Sequence, residues 1–107
     1  MVARRLVDSS TDVIAAVVLD AAGGLVDVSG VDQDRARELA DLSRQLVERA
    51  DGISVDPVEQ IEVQASGGAV FAVRDARHVL VCVTRRPALP ALVLYDLRHA
   101  IGELAPA

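Results

Sequence analysis

The chain has 107 residues, 51% of them hydrophobic, with a net charge of −5 and basic residues that are all arginine. That length suits one compact domain with a modest core, and no apolar run reaches the ~18 residues that a membrane span needs. An acidic chain with only 2% aromatic residues lacks the basic stripe and stacking rings of nucleic-acid-binding proteins.

The N-terminal third of the chain predicts a short helix and a β-hairpin. Residues 3–8 are expected to form the helix. The continuous apolar run Val13–Asp20 is typical of a strand that is buried on both faces. Glycines 23–24 permit the positive φ angles of a tight turn, after which Leu25–Gly30 returns as the second strand.

A long helix over residues 31–52 is the clearest element in the sequence. Either Asp32 or Asp34 is expected to cap its N-terminus, and Gly52 its C-terminus. Apolar residues mostly three and four positions apart form a stripe along it. The stripe consists of Ala36, Leu39, Ala40, Leu42, Leu46, Val47 and Ala50.

Three strands and a closing helix complete the predicted order. The strands are Val58–Ala65, Ala69–Arg74 and His78–Val83, and their short loops require antiparallel neighbours. His78–Val83 is apolar on both faces and should lie inside the sheet. Prolines 87 and 90 suit the start of the final helix. The predicted fold class is α+β, with the order α-β-β-α-β-β-β-α.

Three segments in this order resemble the Roadblock/dynein-light-chain family, and the match covers nearly the whole chain. They are VIAAVVLDAAGGLVDVSG, ASGGAVFAVRDARHVLVCVTRRP and PALVLYDLRHAIGELA. The resemblance implies one Roadblock-like domain over residues 1–107, with a five-stranded antiparallel sheet in the order 2-1-5-4-3 and helices on both faces. It places Val58–Ala65 at an edge. Because the family's first helix is usually longer than residues 3–8, this helix is expected to be trimmed or absent.

The resemblance also implies homodimers or heterodimers, in which the third strand pairs with its twofold mate and the second helix packs beside its partner. A twofold axis near Glu62 would oppose two carboxylates. Either the axis then lies nearer Gln60 or Gln64, or an arginine such as Arg37 or Arg44 compensates. The alternative is a solvated edge guarded by acidic residues. The expected dimer interface comprises Val58, Gln60, Ile61, Glu62, Val63 and Gln64.

Bacterial relatives of the family commonly act beside small Ras-like GTPases. The resemblance therefore implies a non-catalytic dimeric scaffold or regulator that binds such a GTPase. The candidate partner surface is the outer face of the second helix, unless that face is merely solvated. A small-ligand sensor and a purely structural dimerisation module remain the alternatives. The candidate partner residues are Arg37, Asp41, Arg44 and Glu48.

The sequence contains no recognisable catalytic, metal-binding or cofactor-binding arrangement. Cys82 lies between valines and is expected to be a small buried hydrophobe. His78 and His99 have no nearby residues that would complete a metal site. A chain without lysine cannot form a phosphate-binding P-loop at its glycine pairs. With a single cysteine and no signal-peptide pattern, we expect a cytoplasmic protein that is not an enzyme.

Overall fold

The computed structural model describes residues 2–9, 12–56, 58–85 and 90–104. The predicted order of elements and the α+β fold class are confirmed, while Pro87 lies outside the described residues. The helices and strands are α1 (Val2–Ser9), β1 (Val13–Asp20), β2 (Leu25–Ser29), α2 (Gln33–Gly52), β3 (Gln60–Ala65), β4 (Gly68–Arg74), β5 (His78–Thr84) and α3 (Pro90–Glu103).

The five strands form one antiparallel sheet in the order β2-β1-β5-β4-β3, which confirms the predicted topology. The apolar strands β1 and β5 lie inside the sheet because each has hydrophobic side chains on both faces. The polar-faced β3 lies at an edge, as predicted. It begins at Gln60 rather than Val58. The Val58 N–H donates to Asp51 Oδ1 at 2.9 Å.

The core has two layers, one on each face of the sheet. Phe71, Leu80 and Leu97 are fully buried on the face that α1 and α3 cover. Leu19 and Val81 lie on the face that α2 covers. Among the described helices, none has the length and hydropathy of a membrane span.

The first helix is present as eight residues. Ala3 and Leu6 are buried in the core beneath it. The Ala3 N–H donates to Asp27 Oδ2 on β2 at 3.0 Å, which satisfies one of the backbone donors that a helix N-terminus leaves open. Burial and this bond together fix α1 on the sheet.

The ends of α2 differ in part from the sequence prediction. Asp32 is the N-cap, and its side chain accepts the Arg35 N–H at 2.8 Å. The prediction of a glycine C-cap was wrong. Gly52 is the last helical residue, and the cap is Ile53, whose N–H turns back to the carbonyls of Ala50 and Asp51.

The buried stripe of α2 is also shifted from the prediction. Leu42 belongs to the predicted apolar stripe, but it is 49% exposed. Ser43 takes the buried position instead, which it can do because its Oγ donates to the Leu39 carbonyl at 2.7 Å. The helix therefore presents a large apolar side chain to solvent.

Among the described glycines, positive φ angles occur at Gly23 and Gly30, so one of the two turn glycines uses the freedom that the sequence indicated. At Gly24 the turn is closed differently, because Asp20 Oδ1 accepts the Gly24 N–H at 2.8 Å. Gly30, after β2, has a φ of 91°, and a Cβ there would lie 2.2 Å from the Ile14 carbonyl oxygen. The close approach of two backbone segments therefore requires glycine at position 30.

Candidate interaction surface at the β3 edge

The register of β3 with β4 determines which backbone groups face the free edge of the sheet. Ala65 pairs with Gly68 across a two-residue turn, and the Arg74 N–H donates to the Glu59 carbonyl at 2.9 Å. Hydrogen-bonded pairs alternate along an antiparallel ladder, so the odd-numbered residues bond to β4. The N–H and C=O groups of the even-numbered residues Gln60, Glu62 and Gln64 therefore point away from the sheet.

The side chains of β3 divide between the two faces of the sheet. Ile61 and Val63 stand opposite Ala72 and Val70 on the face that α2 covers. Gln60, Glu62 and Gln64 stand opposite Val73, Phe71 and Ala69 on the face that α1 and α3 cover. The edge thus has one apolar and one polar side, as the alternation in the sequence indicates.

An apolar groove runs between α2 and the β3 edge, with a cavity volume of about 220 Å³. Val63 is 42% exposed at the rim of the groove, and Leu42 faces solvent across it. We call this surface the edge groove. It is lined by Leu39, Leu42, Ser43, Leu46, Val63, Val70, Val81 and Val83.

The polar side of β3 has partners on α3. Arg98 donates from Nη2 to Gln60 Oε1 at 2.6 Å, and Gln64 Nε2 donates to Glu62 Oε2 at 3.2 Å. Arg37 and Arg44 lie on α2 and therefore on the opposite face from Glu62. Within one chain, neither arginine is therefore on the side of the sheet that Glu62 occupies, because α3 and not α2 covers that side.

The two flanks of α2 differ in character. With about 3.6 residues per turn, Leu42 and Leu46 fall on the flank beside β3, and the four candidate partner residues fall on the other. Arg44 Nη1 donates to the Gly23 carbonyl in the β1–β2 turn at 2.6 Å, and its Nη2 forms an ion pair with Asp41. The structure therefore places the candidate partner residues Arg37, Asp41, Arg44 and Glu48 away from the β3 edge.

Asp51 fixes the connection between α2 and the edge strand. Its carboxylate accepts two hydrogen bonds from Arg74 on β4, at 2.6 and 2.8 Å, as well as the bond from the Val58 N–H. The Arg74 hydrogen bonds and then the Val58 N–H lower the pKa of Asp51 to about 2. Val58 is thus engaged within the chain, while the other five predicted interface residues lie in β3.

A second cavity, of about 410 Å³, lies at the end of the sheet between the β1–β2 and β4–β5 turns. Arg74 and Asp51 form an ion pair in its lining, and Asp20 accepts the Gly24 N–H. Burial opposes ionisation of Asp75, but the N–H groups of Arg77 and His78 outweigh it and lower the Asp75 pKa. This cavity is the place that a small-ligand sensor would use.

The cysteine and the two histidines, which are the residue types most often reactive, have structural positions in this fold. Cys82 is fully buried, and burial raises the pKa of its thiol to about 12. His78 is buried at the start of β5, and His99 contacts the Tyr95 hydroxyl at 2.9 Å on α3. In the part of the chain that the structure describes, no group of three or more His, Cys, Asp or Glu could hold a metal ion.

We did not predict the edge groove from the sequence, although the sequence contains a signal for it. Leu42 and Leu46 lie to one side of the stripe formed by Ala36 and Ala40, which makes the apolar arc wider than one sheet contact needs. The interaction of Arg98 with Gln60 joins residues 38 positions apart and had no local signal.

No family model and no curated protein matches the chain. Solved structures do match. A Roadblock/LC7 domain from Streptomyces avermitilis has a TM-score of 0.86 at 21% identity over 94% of this chain and 89% of its own. A second such structure from that organism has a TM-score of 0.80 at 25% identity, over 96% and 94%. Myxococcus xanthus MglB has a TM-score of 0.71 at 18% identity, over 95% and 87%. The fold is that of Roadblock/LC7 domains, which confirms the resemblance inferred from the sequence.

Proposed function

We propose that this chain with the Roadblock/LC7 fold is a non-catalytic regulatory module that pairs with a second copy through β3 and α2 and binds a small Ras-like GTPase. The observation that carries the proposal is the β3 edge itself. Three consecutive even-numbered residues direct their backbone groups away from the sheet, directly beside the apolar edge groove. A β-strand edge with an adjoining apolar surface is suited to pairing with another chain.

The edge groove supplies the hydrophobic part of the proposed interface. Leu42 and Val63 are each about half exposed, so their burial by a second α2 and β3 removes apolar surface from water. Each Å² of apolar surface so buried contributes roughly 25 cal/mol. Pairing of the outward backbone groups adds directional bonds that set the register of the two strands.

The proposed GTPase surface is the charged flank of α2. Arg37, Asp41 and Glu48 are exposed there, on the flank turned away from the β3 edge. Pairing at the edge therefore leaves this flank open in each copy. Its mixed charge suits a polar protein surface better than an apolar peptide, and the family resemblance points to a small GTPase as the partner.

Sedimentation equilibrium tests the self-association. The wild type is expected to be a dimer at micromolar concentration, and Leu42→Glu is expected to be a folded monomer, because Leu42 is already half exposed within one chain. Leu92→Glu is the matched control, since Leu92 is 60% exposed on α3 at the opposite face. A monomeric wild type, or a Leu92→Glu variant that dissociates as readily as Leu42→Glu, would contradict the proposed interface.

Pull-down of purified small GTPases from bacteria tests the partner. The chain is immobilised and offered each GTPase loaded with GDP or with a non-hydrolysable GTP analogue. We expect the immobilised chain to retain a GTPase in at least one of the two nucleotide forms. The Arg37→Glu and Glu48→Arg variants of the chain should not retain it. Arg4→Glu on α1 is the control, because Arg4 is exposed on the other face of the sheet. Equal loss in the control, or no retention of any GTPase, would argue against this partner surface.

A small-ligand sensor is the second candidate, and the cavity at the end of the sheet is the observation that favours it. A metabolite screen by thermal shift distinguishes the two. A ligand that raises the Tm of the wild type but not of a Glu48→Ala variant would support the sensor, because Glu48 lines that cavity. The GTPase proposal predicts no such ligand.

A further inference from the structure

This inference rests on the proposed function, in which the chain pairs with a second copy through β3. The even-numbered, outward-facing residues of β3 then restrict how the two copies can pair. In an antiparallel pair about a twofold axis perpendicular to the sheet, residues directly opposite each other share a face. Because side chains alternate between the two faces along the strand, a residue cannot stand opposite its own sequence neighbour. The axis must therefore lie between one residue and the same residue of the second copy. The register is therefore defined by that one residue.

Strand length leaves two positions for the axis. An axis at Glu62 pairs residues 60–64, and an axis at Val63 pairs residues 61–65, which is five of the six β3 residues in either case. An axis at Gln60, Ile61 or Gln64 pairs at most three of them. At Ile61 it also sets the apolar Val63 against the carboxylate of Glu59.

The polar side of β3 favours an axis at Val63 over an axis at Glu62. An axis at Glu62 engages all three outward-facing residues, but it sets the two Glu62 carboxylates directly opposite each other, which is unfavourable. An axis at Val63 sets Glu62 opposite Gln64 of the second copy. The Gln64 amide already donates to Glu62 Oε2 at 3.2 Å within one chain, so the two side-chain types are chemically matched.

The apolar side is compatible with the same position. With the axis at Val63, Val63 stands opposite its copy and Ile61 stands opposite Ala65 of the second copy. Val63 is part of the rim of the edge groove, so the two grooves meet symmetrically at the axis. Since Val63 bonds to β4, its pair is a non-hydrogen-bonded one with Cα atoms about 4.5 Å apart.

We propose that two copies of this chain pair antiparallel through β3 with Val63 on the twofold axis, so that Glu62 of each copy meets Gln64 of the other. The preferred partner is accordingly a chain with an amide, not an acid, at the residue that follows the central valine. The self-association is selective because a one-residue shift of the axis brings two carboxylates together.

Disulfide crosslinking of variants with one introduced cysteine tests the register. The native Cys82 is fully buried with a raised pKa, so introduced exposed cysteines can be examined without removing it. A Cα separation of about 4.5 Å lies within the range that a disulfide spans, about 4.4–6.8 Å. We expect mild oxidation to convert Val63→Cys into a covalent dimer with loss of most of the monomer band. Leu92→Cys, on the opposite face of the sheet, should remain monomeric on a non-reducing gel.

The outcomes separate this proposal from the one on which it rests. Efficient crosslinking of Val63→Cys with little in Glu62→Cys supports the Val63 axis. Efficient crosslinking of Glu62→Cys in place of Val63→Cys overturns the register but leaves β3 pairing intact. If sedimentation shows a dimer and neither variant crosslinks, the proposed register is overturned. If the wild type is monomeric, the proposed self-association itself fails.

The dimer dissociation constant of Glu62→Gln provides a second measurement. With the axis at Val63, the substitution replaces a Glu–Gln contact by a Gln–Gln contact, and the constant should change by less than about threefold. With the axis at Glu62, removal of two facing carboxylates should tighten the dimer well beyond that. A strong tightening would overturn the proposed register.

Discussion

Arg74 on β4 holds Asp51, the second-last residue of α2, through two hydrogen bonds of 2.6 and 2.8 Å. Because Asp51 also accepts the Val58 N–H, one carboxylate ties the end of the helix to the sheet and to the segment that leads into β3. The pair is partly exposed, yet it links α2, β4 and the segment that precedes the edge strand. The proposed interaction surface therefore depends on a contact outside it.

Acid should remove the contribution of Asp51 to stability. The Arg74 hydrogen bonds and the Val58 N–H lower the Asp51 pKa from 3.8 to about 2, so the folded state favours the charged form. The contribution is fully present above about pH 4 and is lost as the pH falls towards 2. The urea midpoint measured across this window should fall less steeply in Asp51→Asn than in the wild type. Parallel curves for the two proteins would contradict the prediction.

Two glycine substitutions should have opposite effects on stability. Gly30→Ala should destabilise the fold by about 2 kcal/mol or more, because alanine is strained at positive φ and its Cβ would meet the Ile14 carbonyl. Gly102→Ala, at the second-last position of α3 with no atom within 4 Å of the added Cβ, should stabilise it by up to about 0.5 kcal/mol, because the full difference of about 1 kcal/mol applies to a helix interior. Urea unfolding measures both, and equal effects would be inconsistent with these backbone conformations.

Removal of the Asp27 carboxylate should loosen α1. Asp27 accepts the Ala3 N–H, and loss of a comparable helix-capping bond costs about 0.5–2 kcal/mol. Asp27→Ala should therefore lower the free energy of unfolding and increase hydrogen exchange in α1. Asp8→Ala is the control, because its exposed ion pair with Arg4 should contribute less than about 1 kcal/mol. An exchange rate in α1 that is the same in both variants would show that Asp27 does not secure the helix.

The Cys82 thiol should be inert in the native protein. Burial raises its pKa to about 12, so little thiolate is present at neutral pH and reagents have no access to it. A colorimetric thiol reagent should react slowly with the folded chain and rapidly in denaturant. Fast reaction of the native protein would mean that β5 opens readily, and it would also invalidate Cys82 as a silent background for crosslinking.

Much of the fold followed from local patterns. The doubly apolar runs of β1 and β5 require burial on both faces, and the short connections on either side of β4 require antiparallel neighbours. The alternation in β3 also separated its apolar side from its polar side correctly. The amino-acid sequence, with its family resemblance, thus determined the element order, the interior strands and the edge position of β3.

Tertiary structure decided what the edge can bind. The exposure of Leu42 depends on how α2 lies across the sheet, which helical spacing alone does not specify. The face that Glu62 occupies, and hence its separation from Arg37 and Arg44, depends on the side of the sheet that each helix covers. Local periodicity specifies that a strand has two faces, but only packing in three dimensions assigns a neighbour to each.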